Sequence, residues 1–197
     1  DLLQDQRHRV RILASYDFKL GILGITPGLV QQYDTGTPYG ALGNVNSRSF
    51  VTNPGYAAPP ATVPYYFTAR DAYRTDDIWT TNLSLSLNLN LGPVEIFVLP
   101  QILNVFNNDG VLAPNTSVSV GTRSTPNAAG LVSFNPFTTT PIECPQTASA
   151  AECTAMGANW KKGVNFGKPT TGASSAVSRS GSFQPTRQWL VSMGIRF

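Results

Sequence analysis

Charge is scarce in this chain: of 197 residues, 14 are Lys or Arg and 11 are Asp or Glu, 13% together, about half the share usual in soluble domains. A surface so poor in charge needs another reason to be stable. The net charge is +3, the basic residues form no run, and no basic stripe interleaved with aromatics appears, which excludes the electrostatic footprint of a nucleic-acid-binding protein. The sequence has one histidine, His8, and two cysteines, Cys144 and Cys153. With no further cysteine or histidine near the pair, a zinc site is excluded. His8 stands among arginines at a strand start, with no Ser or Cys nucleophile paired to it by motif, so neither an enzyme nor a cofactor is expected. Its parity makes it a rim-facing side chain rather than a base. Nor is there a run of about 20 apolar residues to make a transmembrane helix. If the chain meets a membrane, it does so with strands. The start lacks an initiator Met and a signal-peptide core, which leads us to expect a processed chain or part of a longer one.

What the chain does have is alternation. From Trp79 the sequence reads WTTNLSLSLNLNL, with Leu83, Leu85, Leu87, Leu89 and Leu91 on one face and Asn82, Ser84, Ser86, Asn88 and Asn90 on the other. This period of two marks a β-strand, and its polar face is small and uncharged. Lipid on one side and a packed or watery lumen on the other suit it better than a soluble sandwich. RHRVRILASYDF alternates too, setting Val10, Ile12, Ala14, Tyr16 and Phe18 against Arg7, Arg9, Arg11, Ser15 and Asp17. Weaker strands are expected in ILGITPGLVQQYD and VEIFVLPQILNVFNN, where Pro27 and Pro100 imply a bulge or a locally unpaired position. The chain closes on RQWLVSMGIRF, with Trp189, Val191, Met193, Ile195 and Phe197 on one parity.

The connections are asymmetric. Tight turns are expected at Lys19–Gly21 and at Gly92–Pro93, whereas Gly-, Pro- and Asn-rich stretches run from Thr35 to about Asp76 and from Asp109 to about Pro185. Short turns alternating with long loops are the asymmetry of an outer-membrane barrel. The fold class expected is therefore all-β: an antiparallel transmembrane β-barrel meander of about five strands with two long extracellular loops. On this reading Phe197 lies at the periplasmic aromatic girdle and Trp189 near the outer one, and the apolar alternation ending in an aromatic resembles the C-terminal signal by which bacterial outer-membrane proteins are recognised for insertion.

Candidate functional residues follow. Arg7, Arg9 and Arg11 face a lumen, where they either favour anionic solutes and plug carboxylates or simply pair with carboxylates on neighbouring strands. The loop aromatics Tyr65, Tyr66, Phe67, Phe134, Phe137, Trp160 and Phe166 either contact a substrate or partner or pack the loops on themselves. Cys144 and Cys153 are either free loop thiols or, the reading favoured here, a disulfide closing an exported loop. GTPYGALGN follows no phosphate-binding spacing and reads as loop. The acidic pair at Asp76 and Asp77 reads as a solvated loop edge rather than a calcium site, so no metal is expected.

In their order and spacing, DQRHRVRILASYDF, YDTGTPYG, ILNVFNN, FNPFTTTPIE followed by NFGKP, and the final SMGIRF resemble the C-terminal barrel segment of TonB-dependent outer-membrane receptors, in particular the Oar-like members that carry a carboxypeptidase-regulatory-like domain. The similarity spans nearly all of 1–197. It implies the last strands of a barrel of commonly about twenty-two, in a receptor for energised uptake of a substrate too large for porins, located in the bacterial cell outer membrane with the C-terminus periplasmic. The implied partners are outer-membrane lipid, the remainder of the barrel and its plug, an inner-membrane energy-coupling protein, and the outer-membrane assembly machinery. Plug, coupling box and N-terminal domain are not in this sequence. Two other functions fit less of it: a surface structural or adhesive protein anchored by a barrel, and a soluble β-sandwich binding module.

Overall fold

The computed structural model describes residues 5–52, 55, 60–169 and 182–197. Its strands are β1 (Arg9–Ser15), β2 (Phe18–Leu20), β3 (Leu23–Asp34), β4 (Pro38–Tyr39), β5 (Leu42–Val45), β6 (Val63–Tyr66), β7 (Tyr73–Arg74), β8 (Ile78–Leu91), β9 (Val94–Leu103), β10 (Val118–Val120), β11 (Glu143–Cys144), β12 (Trp160–Lys162) and β13 (Gln188–Arg196), with one short helix, α1 (Ala150–Ala155). The chain divides into two compact units.

The first unit is one large antiparallel sheet. Its strands follow chain order, β1, β3, β8, β9 and β13, with β2 continuing β1 along the same edge of β3. Two tight hairpins make this meander possible. Leu20 pairs with Leu23 around Gly21 and Ile22, and Leu91 with Val94 around Gly92 and Pro93. Gly21 and Gly92 have φ of 61° and 68°, a left-handed conformation that two-residue hairpins require and that glycine adopts without strain. At the opposite end of the sheet, β3 leaves for a long excursion before β8, and β9 for another before β13.

Of the two possibilities at the prolines, a bulge or a locally unpaired position, the register shows the second. β3 runs unbroken through Pro27, which stays opposite Leu85, and β9 runs through Pro100, opposite Val191. The ladders weaken instead on the partner strands: β1 and β2 are interrupted at Tyr16–Asp17, and the β8–β9 ladder skips from Ser84 to Leu87 with no change of register. A proline removes one donor without inserting a residue, so pairing lapses locally while side-chain faces stay in phase.

Those faces differ in charge, although the charged one also carries Leu13, Val30, Phe97, Leu99 and Leu190. One carries Val10, Ile12 and Ala14, then Tyr33, Leu29 and Ile25, then Trp79, Leu83, Leu85, Leu87, Leu89 and Leu91, then Ile102, Val98 and Ile96, then Trp189, Val191, Met193 and Ile195. Every charged residue of these strands, Arg9, Arg11, Lys19, Asp34, Glu95 and Arg196, lies on the other face, with Asn82, Ser84, Ser86, Asn88, Thr26 and Gln101. The apolar face is not a core. Among the described residues no apolar side chain of this unit is buried, and Ile12, Leu20, Trp189, Val191, Met193 and Ile195 are each more than half exposed.

The second unit is built mainly from Pro38–Arg74 and Pro114–Thr170, so both long excursions fold together. Four short ladders organise it: β4 with β7, β5 with β6, β10 with β12, and a parallel pair of β11 with β12. The stretch GTPYGALGN, read above as loop, supplies β4 and β5. The unit holds the buried apolar residues that the large sheet lacks: Ala41, Val45, Leu131, Phe134, Cys144, Cys153, Ala158 and Trp160.

Candidate functional site

On the polar face of the large sheet, the hairpin at Gly21 sets the register that brings Arg9 opposite Asp34. Arg11 then reaches the same carboxylate, donating to both oxygens at 2.9 and 2.8 Å, while Arg9 Nε lies 3.5 Å from Asp34 Oδ1. Arg7 lies 4.0 Å from Asp5. Arg9 and Arg11 thus share a carboxylate of the neighbouring strand, the second of the two roles considered for the ladder, whereas the contact of Arg7 is with Asp5, two residues away and outside the strands. Because these pairs are exposed, each contributes only about 0–1 kcal/mol. At the hairpin end, Arg196 pairs with Glu95 at 3.4 Å and lies 4.7 Å from the Phe97 ring centre. Between these two ends the face offers mainly hydroxyls and amides, with Asp17, which accepts from the Thr26 hydroxyl at 2.7 Å, and Lys19 the charged groups along its β1–β2 edge.

At the excursion end, Asp76 and Asp77 do more than solvate a loop edge. Asp77 accepts from the Gly36 N–H and the Tyr33 hydroxyl, and Asp76 accepts from the Val111 N–H. Asn104, 3% exposed and in a left-handed conformation, donates its side-chain amide to the carbonyls of Asn108 and Pro185 and accepts from the Asn108 N–H. Asparagine tolerates positive φ and can close a turn on itself, which explains why ILNVFNN ends β9. His8, exposed, pairs through its backbone with Thr35.

The second unit gathers most of the loop aromatics. Tyr65, Phe67 and Phe134 meet mutually with ring centres 5.0 to 5.9 Å apart, and Phe67 packs on Trp160 at 5.1 Å. Phe134 and Trp160 are nearly fully buried, so these rings pack the excursions on each other. Gly43 makes room for them, since a Cβ there would meet Val118 and Val120 at 2.8 Å and Phe67 at 3.0 Å. Phe166 joins Tyr39 and Tyr73, at 6.2 and 5.3 Å. Tyr66 stacks under Arg70. Phe137 alone of the seven is left mostly exposed, at 65%, on a turn whose N–H is capped by Asn135.

Cys144 and Cys153 are joined by a disulfide, both wholly buried with Leu131 and Ala158. The bridge clasps β11 to α1, whose start is a complete capping box: Ser149 accepts from the Glu152 N–H, and the Glu152 carboxylate accepts from the Ser149 N–H. The Ser149 N–H and then the Ser149 hydroxyl, both donating to the carboxylate at 2.7 Å, hold the Glu152 carboxyl below its ordinary pKa.

Sequence reasoning missed Tyr39, Tyr73 and Lys162. The Lys162 ammonium lies 3.1 Å from Glu143 and over the rings of Tyr73 and Phe166, at 5.3 and 5.7 Å. Hydrogen bonding to Tyr73 and then to Glu143 raises its pKa. No local signal marks this group, because its members come from both excursions.

Trp189, Val191, Met193 and Ile195 line up on the exposed apolar face, and Phe197 follows at 99% exposure. No family model, curated protein or solved structure matches the chain.

Proposed function

We propose that these residues are part of the barrel of a TonB-dependent outer-membrane receptor, which takes up, with energy from the inner membrane, a substrate too large for porins. One observation carries the reading: a meander whose strands put every charge on one face and leave a continuous exposed apolar face on the other. In water such a face is a large aggregation surface, since soluble monomers rarely expose apolar patches beyond a few hundred Å². In a bilayer it is the ordinary outer wall of a barrel. The tight hairpins then lie on the periplasmic side, and the unit formed by both excursions faces the exterior. The open edges at β1 and β13 pair with further strands of the same barrel, because unpaired backbone in hydrocarbon costs several kcal/mol per group. Lipid, plug, energy-coupling protein and assembly machinery are the partners of this reading, and it involves neither catalysis nor a cofactor.

A second reading, a surface protein for which the barrel is only an anchor, gains from the buried core and disulfide of the second unit. Two experiments test the readings, the first both together and the second one against the other. In the intact polypeptide within whole cells, Thr139→Cys is labelled by a membrane-impermeant maleimide if the second unit is external, and recovery of the protein in the soluble fraction overturns both. Photo-crosslinking of the intact polypeptide to the inner-membrane coupling protein supports uptake, and its absence supports anchoring.

A further inference from the structure

Two stretches of the second unit lie side by side without filling the space between them. One is the turn after β11, residues 145–148, closed by the Ala148 N–H donating to the Pro145 carbonyl at 3.1 Å. The other is the end of β12 with the two residues that follow it, 161–164. Between them is a cleft of about 370 Å³ lined by Gln146, Thr147, Lys161, Lys162 and Val164, at the lower end of the size range of small-molecule sites. Its walls are tied together twice. The Gln146 side-chain amide donates to the Gly163 carbonyl at 2.6 Å, and the Lys161 ammonium donates to the Ala148 carbonyl. The buried disulfide at Cys144, directly before the turn, anchors one wall. The cleft is therefore shaped before any ligand arrives, which spares the cost of ordering it on binding.

Charge decides what fits. The lining has two ammonium groups and no carboxylate. Lys162 is already compensated, by Glu143 at 3.1 Å and by its hydrogen bond with Tyr73. Lys161 is not: it is half-buried, and among the described residues no carboxylate lies within ion-pair distance of it. Glu152 acts on it only at longer range, and that carboxylate is committed to Ser149. An ammonium has three N–H donors, so Lys161 keeps two beyond its bond to Ala148. Beside it the Thr147 hydroxyl is exposed and has no hydrogen-bond partner among the described residues. Gln146, whose N–H is used on Gly163, contributes its side-chain oxygen as an acceptor.

We propose that this cleft binds a sugar acid, with the carboxylate on the Lys161 ammonium, ring hydroxyls on Thr147 and on the Gln146 oxygen, and the exposed Val164 side chain against the C–H face of the ring. One uncompensated positive charge matches one carboxylate, and a hydroxyl beside an amide oxygen matches a polyol better than an apolar acid. Such binding goes beyond both readings of the preceding section and is compatible with either, since an uptake receptor and an anchored adhesin can each present a ligand site on this unit.

Equilibrium dialysis of the intact polypeptide in detergent micelles, against radiolabelled glucuronate and with radiolabelled glucose as the neutral control, tests the site. Glucuronate should bind saturably and glucose far more weakly. Lys161→Met should weaken glucuronate binding about ten- to a hundredfold, the loss of one charge-assisted hydrogen bond, and Lys161→Arg, which keeps the charge, should bind more tightly than Lys161→Met. Thr147→Glu alters an exposed side chain, so the fold is kept while a carboxylate enters the cleft, and glucuronate binding should be lost. Lys168→Met, outside the cleft, should bind as the unaltered protein does. Absence of saturable glucuronate binding, equal binding of glucose, or glucuronate binding that survives both Lys161→Met and Thr147→Glu would overturn the assignment.

Discussion

Leu85 gives the most direct energetic test. It lies on β8 between Leu83 and Leu87, opposite Pro27, on the face that holds no charge. If that face meets hydrocarbon, Leu85→Arg places a guanidinium near the midplane, at a cost of about 2–4 kcal/mol, against about 0–1 near an interface. At about 1.4 kcal/mol per tenfold, that lowers the folding equilibrium roughly 30- to 700-fold. Two controls share the strand. Leu91→Arg, on the same face beside the Gly92 hairpin, should cost about 0–1 kcal/mol. Ser86→Arg points to the polar face and should stay within about 1 kcal/mol, the range of ordinary surface changes. The measurement is equilibrium urea unfolding of the intact polypeptide in lipid vesicles, followed by tryptophan fluorescence. If Leu85→Arg lies within about 0.5 kcal/mol of Ser86→Arg, the two faces are equally wet and the lipid assignment is wrong.

Three further outcomes concern the second unit and the ion pairs. Gly43→Ala should destabilise the second unit by about 1–3 kcal/mol through overpacking against Val118, Val120 and Phe67, and hydrogen exchange in 42–45 and 118–120 should rise while exchange in β8 stays unchanged. The Glu152 carboxyl has its pKa lowered on folding, so its contribution is complete above the unfolded value and lost as pH falls through the folded one; a carboxyl carbon titration placing Glu152 at or above an ordinary glutamate would contradict the capping box. Asp34→Asn removes the carboxylate shared by Arg9 and Arg11, and should cost at most about 1 kcal/mol in low salt and less in high salt, whereas a loss of several kcal/mol would mean that the pair is far less exposed than it is here.

The large sheet was legible because each of its strands carries its own evidence. Leu83 to Leu91 alternate without a break, and the glycines at 21 and 92 mark where the chain reverses. The pairing of Arg9 with Asp34 was not legible: the turn was expected at Lys19–Gly21, and only the observed two-residue turn at Gly21 and Ile22 sets them opposite each other. The prolines left open a bulge or a locally unpaired position, and only the register, which shows the second, distinguishes the two. The second unit was not legible. Its strands are two to four residues long, too short for any period to show, and their partners lie far off in sequence: β5 against β10, Phe67 against Phe134 and Trp160, Glu143 beside Lys162. Aromatic residues could be noted there, but nothing local says which ring each one meets.

The two units differ in where their apolar side chains lie. The sheet buries no apolar side chain of its own among the described residues, so its hydrophobic stabilisation must come from whatever covers its apolar face. The second unit has an internal core, and the disulfide lies within it rather than on its rim. Closing the nine-residue separation between Cys144 and Cys153 contributes about 2.6 kcal/mol in the chain-entropy estimate. Losing the bridge also loosens β11, which is paired to β12, and α1, whose Ala150 carbonyl packs where a Cβ on Gly130 would lie. The variant Cys144→Ala with Cys153→Ala should thus lose about 2–5 kcal/mol from the second unit. Hydrogen exchange in the intact polypeptide checks this, with protection falling across 142–162 and holding in β3, β8 and β9. Loss of protection in both places at once would refute the idea that the two units draw their stability from separate sources.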